Sequence, residues 1–453
     1  MEKTRVAVIH RDAIPGRPAE YGEESLRVVY GMLKEAVDAV GGMKSVIRKG
    51  DKVVVRANAC WAVKPDSGIA SDPRVVEALM RLIRRETEPA EVVVADRSSI
   101  GADTAESFRV TGIGEAALRG GADRILPLEQ DQRVPVQVDR PMVLFRPVHL
   151  SKTMLEADVL IFLSKMKVHK LTQISLTLKM NQGSLDWYDA IRNHRADMHQ
   201  KMIDMLKAMR PHLSVVDALW PMQGQGPGSP YPEDLIKDFN VILAGKDPVA
   251  VDSVGATIMG FDSRHDIPML RGAEMAGLGV ANLERIDVAG TPIQKVQRPF
   301  KRGNIHLIGL DPRIEVYMGG ACDGCLHFTR TGLDVYLAKP ALMEEVEKIT
   351  FIIGNDAEVP EKLDHHPPGP TSSSWGTAPE SIKTGESSSR AVPPPACTAP
   401  SSPEKVQRKC SKTTARFSLR ESALRGTLFR NRYVARKIIM RVIILATACK
   451  GDS

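Results

Sequence analysis

Four cationic or titratable side chains fall within six residues, at Lys165, Lys167, His169 and Lys170, and a further lysine, Lys179, follows the apolar segment 171–178. A lysine set among apolar residues is desolvated, which lowers its pKa and leaves a neutral amine able to act as base or nucleophile. His169 and His194 supply imidazoles for acid/base work or for binding a metal. Lys165, Lys167 and Asn58 are suited to orienting an anion, and Asp96, Asp217 and Asp247, each at the end of an apolar run, add carboxylates that direct a substrate or a metal. Cys322 and Cys325 form a lone C-x-x-C in the glycine-rich stretch 319–325. Two thiols suit a redox dithiol or part of a metal site, whereas a zinc site or a cubane cluster takes four ligands.

These side chains need a scaffold, and the apolar pattern supplies one. Residues 159–163 are a continuous apolar run, the signature of a strand buried on both faces, and the basic residues follow it. Strands are expected at 6–9, 52–58, 91–95, 125–128, 213–218 and 241–244, with a hairpin joining 134–138 to 142–147 through Asp139-Arg140-Pro141. Helical spacing appears at 23–40, 112–119 and 201–209. Asp72-Pro73 and Asp247-Pro248 each read as a capping residue followed by proline at the first helical position. This alternation predicts an α/β fold with a mostly parallel sheet and helices on both faces. In such sheets ligands collect beyond the carboxyl ends of strands, where the basic cluster is expected to meet a small anion.

The formal charge of +7 is unevenly placed: residues 361–453 hold 16 Lys/Arg against 7 Asp/Glu, leaving about −2 for residues 1–360. The body has no global electrostatic case for nucleic acid. No run reaches the about 20 apolar residues that span a bilayer. Met1-Glu2-Lys3-Thr4-Arg5 leads straight into the first strand without a secretory leader, so a cytoplasmic protein is expected. Three regions are expected: an α/β domain at 1–310, a small Cys-x-x-Cys element at 311–360, and a Pro-, Ser- and Arg-rich tail at 361–453 too poor in buried apolar surface to fold. Within that tail, residues 438–449 suggest a marginal helix, and the abrupt loss of periodicity is what a change of reading frame would produce.

Residues 167–183, Val215-Val216-Asp217, the glycine-rich 224–228 and Leu243-Ala244-Gly245-Lys246-Asp247-Pro248-Val249-Ala250-Val251-Asp252 together resemble the domain of unknown function 362 (DUF362) family, over nearly all of residues 5–310. Asn58, Ser71-Asp72-Pro73 and Asp96 stand where that family's first-half motifs stand, with Arg56-Ala57-Asn58 in place of its Lys-Pro-Asn. Many members are described as iron–sulphur cluster-binding proteins, so the resemblance implies a cluster and an electron-transfer partner, with Cys322 and Cys325 as the ligands available. His169, Lys179 and His194 are also similar to the series in the first domain of the nickel-pincer lactate racemases, where a histidine is followed ten residues on by a lysine that carries the cofactor. That likeness implies nickel. The chemistry expected is an enzyme acting on a small anion through Lys179, His169 and His194, with an iron–sulphur or dithiol electron-transfer role for the Cys-x-x-Cys element as the alternative.

Overall fold

The computed structural model describes residues 3–99, 101–193, 197–344, 346–354, 356–358 and 438–444. His194, most of the tail and the reading-frame question lie outside the described residues. The chain divides into two compact units, residues 1–305 with 331–338, and residues 306–330 with 339–453.

The first unit begins with β1 (Thr4–His10), α1 (Glu23–Ala39), β2 (Lys52–Ala57), α2 (Pro73–Glu86), β3 (Glu91–Asp96), α3 (Thr104–Val110), α4 (Ile113–Gly120) and β4 (Arg124–Pro127). An antiparallel pair, β5 (Arg133–Val136) and β6 (Val148–Ser151), leads through α5 (Lys152–Leu155) to β7 (Val159–His169) and the short β8 (Gln173–Ser175). Then come α6 (Thr177–Met180), α7 (Trp187–Ile191), α8 (Met198–Ala208), β9 (Leu213–Met222), β10 (Val241–Gly245), α9 (Pro248–Ile258), α10 (Pro268–Met275), β11 (Ile286–Gly290) and α11 (Ile293–Val296).

Nine strands form one sheet in the order β11-β1-β10-β9-β7-β2-β3-β4, with β8 pairing back on β7. Pairing is parallel except around β10 and between β7 and β8. The mostly parallel α/β sheet is thus as the apolar pattern implies. Side chains alternate across it: Val54 and Phe162 lie in one core with residues of α8 and α9, while Val53, Val55 and Ile161 lie in the other with α1, α2 and α4. Asp72 caps α2 by accepting from Arg74 N–H, and Asp247 caps α9 by accepting from Val249 and Ala250 N–H.

Three local expectations are corrected. The basic residues do not leave the sheet after Leu163, because β7 continues to His169 with every residue buried. Residues 142–147 are not a strand: the Asp204 carboxylate takes the N–H groups of Met142, Val143 and Leu144, so this backbone is satisfied without a ladder. Ile438–Ile444 is a strand, not a helix, in keeping with its β-branched run.

In the second unit β12 (Ile314–Met318), β13 (Val346–Ile353) and β14 (Ile438–Ile444) form a parallel sheet. Helix α12 (Asp323–Leu337) follows β12 and α13 (Pro340–Glu344) precedes β13.

The strand order reverses direction at one point of the sheet. From β2 the chain steps outward through β3 and β4, returns to lay β7 against the other side of β2, and then proceeds through β9 and β10 toward the opposite edge. Connections therefore diverge between β2 and β7, a topological switch point of the kind beside which open α/β sheets bind ligands.

Candidate active site

Lysines inside a buried strand require compensation. Lys165 Nζ donates to Asp217 Oδ2 at 3.0 Å, and the same carboxylate accepts the N–H groups of Asp72 at 2.7 Å and Leu219 at 3.0 Å. Lys165 and Asp217 are therefore a closed ion pair that ties β7 to β9 and to the start of α2. Lys167 Nζ donates to Asn58 Oδ1 and Ile69 O, both at 2.7 Å, and to Cys60 Sγ at 3.4 Å. All three of its protons are committed, so Lys167 presents a fixed charge rather than a free donor. His169 Nδ1 accepts from Leu171 and Thr172 N–H at 3.1 and 3.3 Å, which assigns its proton to Nε2. Lys170 Nζ pairs with Asp334 Oδ2 at 3.0 Å.

Lys179 lies on α6, a single turn held from three sides. The buried Asp252 carboxylate accepts Thr177 and Leu178 N–H at 2.8 Å each, and burial raises its pKa to about 7. Arg56 donates to Met180 O at 2.7 Å and Ser184 Oγ at 2.8 Å and forms a buried ion pair with Asp96, whose second oxygen accepts Ala59 N–H at 2.8 Å. Arg97, beyond β3, donates to Leu185 O at 2.7 Å and Gln182 O at 2.8 Å and lies 5.0 Å above the Trp187 ring. Gly183 permits this approach, since a Cβ there would stand 2.5 Å from Arg56 Nη2 and 3.0 Å from Arg97 O.

The Lys179 amine itself makes no hydrogen bond or ion pair among the described residues. It is half-buried, and desolvation, reinforced by the Lys167 and Arg97 charges, lowers its pKa to about 7. Cys60 is its third electrostatic neighbour, and burial pushes that thiol's pKa up despite Lys167. Arg97 uses three of its five N–H groups, the third on Ser98 O at 3.0 Å, and desolvation lowers its pKa to about 10. Arg133 spends Nη1 on Ser184 O at 3.2 Å, whereas its buried Nη2 and both amide atoms of buried Asn181 have no partner among the described residues. Glu129 Oε2 and Gln182 Oε1 are buried acceptors without a partner among the described residues, and Glu129 lies in the field of both Arg97 and Arg133.

The structure brings Lys179, Lys167 and Asn58 together, with Lys165, Asp96 and Asp217 as their supports and His169 as a brace of the β7–β8 turn. Asp247 stands apart: β10 runs antiparallel, Gly245 pairs with Ser214 at the start of β9, and so Asp247 caps α9 at the other end of the sheet. Arg97, Arg133, Cys60 and Asp252 belong to the site without having been singled out. The polar run Asp96-Arg97-Ser98 at the end of β3 was the available signal for Arg97.

His149, Asp186 and Asp189 gather one ligand atom each within 4.8 Å, but Asp189 already accepts the His149 N–H at 2.7 Å and pairs with Arg192 at 3.1 Å. No such trio gathers at Lys179 among the described residues, which do not include His194. Cys322 and Cys325 hold their sulphurs 3.7 Å apart, two thiols where a cubane cluster takes four ligands. No helix among the described residues is long and apolar enough to cross a membrane.

Comparison with known proteins matches residues 53–257 to the model of a family described as Domain of unknown function (DUF362). A thylakoid-associated protein of Synechocystis sp. is 24% identical over 262 residues, which is 54% of this chain and 74% of that protein. Among solved structures, the lactate racemase apoprotein from Thermoanaerobacterium thermosaccharolyticum aligns with a TM-score of 0.33 and 13% identity over 48% of this chain. The alignment spans 52% of that protein, about half its length.

Proposed function

We propose that the DUF362 domain, to which residues 53–257 belong, is an enzyme domain that binds a small anion at the carboxyl ends of β2, β3 and β7 and acts on it through Lys179. The observation that carries this reading is the unpartnered Lys179 amine, set beside Lys167 and Arg97 with no carboxylate among its electrostatic neighbours. A buried excess of positive charge is costly unless an anion offsets it. Arg97 and Arg133 offer N–H groups to that anion, Lys167 contributes a fixed charge held by Asn58, and Lys179 serves as base or nucleophile. His169 and His194 are the acid/base partners in this proposal, while Lys165–Asp217 and Arg56–Asp96 keep the strands and the Lys179 turn in place.

Calorimetry with acetate, oxalate and phosphate on the full chain and on Lys179→Met tests the reading. Saturable binding of at least one anion, weakened about tenfold or more by the substitution, is expected, equivalent to at least about 1.4 kcal/mol. Equal affinity in both proteins, or binding of none of the three, would overturn it.

A further inference from the structure

We propose that Lys179 is an imine-forming residue, condensing with a small carboxylate that also carries a ketone or aldehyde group. This rests on the anion site proposed above and names its substrate class.

Two properties separate a nucleophilic lysine from a basic one here. A base must hold the abstracted proton as an ammonium, and at Lys179 that form is opposed both by desolvation and by the neighbouring charges of Lys167 and Arg97. Addition to a carbonyl avoids it: the product is a neutral C=N group, or an iminium whose charge is offset by the carboxylate of the same molecule. The second property is the division of labour among the donors. Lys167 has spent its protons on Asn58, Ile69 and Cys60, so it cannot turn to compete for the carbonyl. Arg97, the cation beside the amine, has two N–H groups left for the carboxylate of a substrate whose carbonyl meets the unpartnered Lys179.

The step balances without any redox partner. The amine nitrogen adds to the carbonyl carbon, a proton from nitrogen reaches the carbonyl oxygen, and water leaves as the C=N bond forms. With its pKa near neutral, Lys179 holds roughly a thousand times more free amine at pH 7 than an ordinary lysine does.

Incubation of the full chain with glyoxylate or pyruvate and sodium cyanoborohydride, followed by peptide mass spectrometry, is the direct test. The reduced adduct is expected on Lys179 at least about tenfold above that on Lys246, an exposed lysine at the far end of the sheet, and oxalate should suppress it. Lys179→Met should lose that adduct while keeping the background on Lys246. Adducts no more frequent at Lys179 than at Lys246, with oxalate still bound in calorimetry, would overturn the imine and leave the anion site standing. Failure of oxalate, acetate and phosphate alike to bind, with no Lys179 adduct, would remove both.

Discussion

Replacing Lys179 by methionine should make the protein more stable while weakening its anion binding about tenfold or more. In the folded chain the amine pKa falls from its usual 10.5 to about 7. At about 1.36 kcal/mol per pH unit, charging this amine in place costs up to about 5 kcal/mol, reduced to roughly 2–4 because the side chain is only half-buried. The sign follows from proton counting. Below pH 7 both folded and unfolded chains hold the proton and the penalty is complete. Between 7 and 10.5 the unfolded chain holds more protons, so wild-type stability rises with pH, and above 10.5 the penalty is gone. Methionine, of similar length and apolar, carries no such penalty. Urea unfolding at pH 6.5 should therefore show the variant more stable by a few kcal/mol, with the gap narrowing as pH rises through 9. A variant less stable than wild type at pH 6.5, or a gap independent of pH, would refute the account of a strained neutral amine.

Two further perturbations probe the supports of that amine. Asp252→Ala strips Thr177 and Leu178 N–H of their acceptor and should cost about 1–3 kcal/mol, with weaker anion binding by calorimetry, whereas Asp252→Asn keeps an acceptor oxygen and should retain most of the binding. Because the folded pKa of Asp252 is raised from 3.8 to about 7, the folded chain holds the extra proton between those values, wild-type stability should fall as pH rises through that window, and Asp252→Asn should flatten the slope in urea titrations. Gly183→Ala would press a methyl group against the fully buried Arg56 guanidinium and the Arg97 carbonyl, at about 1–3 kcal/mol in thermal or urea unfolding together with reduced oxalate affinity.

Much of the scaffold was legible because burial on both faces of a parallel sheet leaves uninterrupted apolar runs, and because Asp72-Pro73 and Asp247-Pro248 announce their helices. The length of β7 was not. A strand containing Lys165 and Lys167 looks like a strand ending in a solvated loop until Asp217, 52 residues on, and Asn58, 109 residues back, are seen to absorb the charges. Local pattern carries no trace of partners so distant. The same limit applies to 142–147, whose backbone is satisfied by Asp204. Within the site, the spacing that singled out Lys179 could not show which of the other cations were already paired. Asp247 illustrates the converse: its motif is clear, but the antiparallel run of β10 carries it to the other end of the sheet from Lys179.

The proposed function rests on the distribution of paired and unpaired charge at this end of the sheet. Lys165 with Asp217, Arg56 with Asp96 and Lys170 with Asp334 are each closed within the fold. Each of those pairs also joins segments distant in sequence, so the compensated charges do the positioning. Lys179, Arg97 and Arg133 are the groups left with unspent capacity, and all three lie at or beside the 177–185 turn that Arg56 and Asp252 immobilise. A rigid frame around unspent donors lowers the ordering cost of binding. Under the proposed function the fold carries the penalty of a desolvated lysine, and an anion arriving beside Arg97 and Lys179 would remove it, making ligand affinity and protein stability rise together.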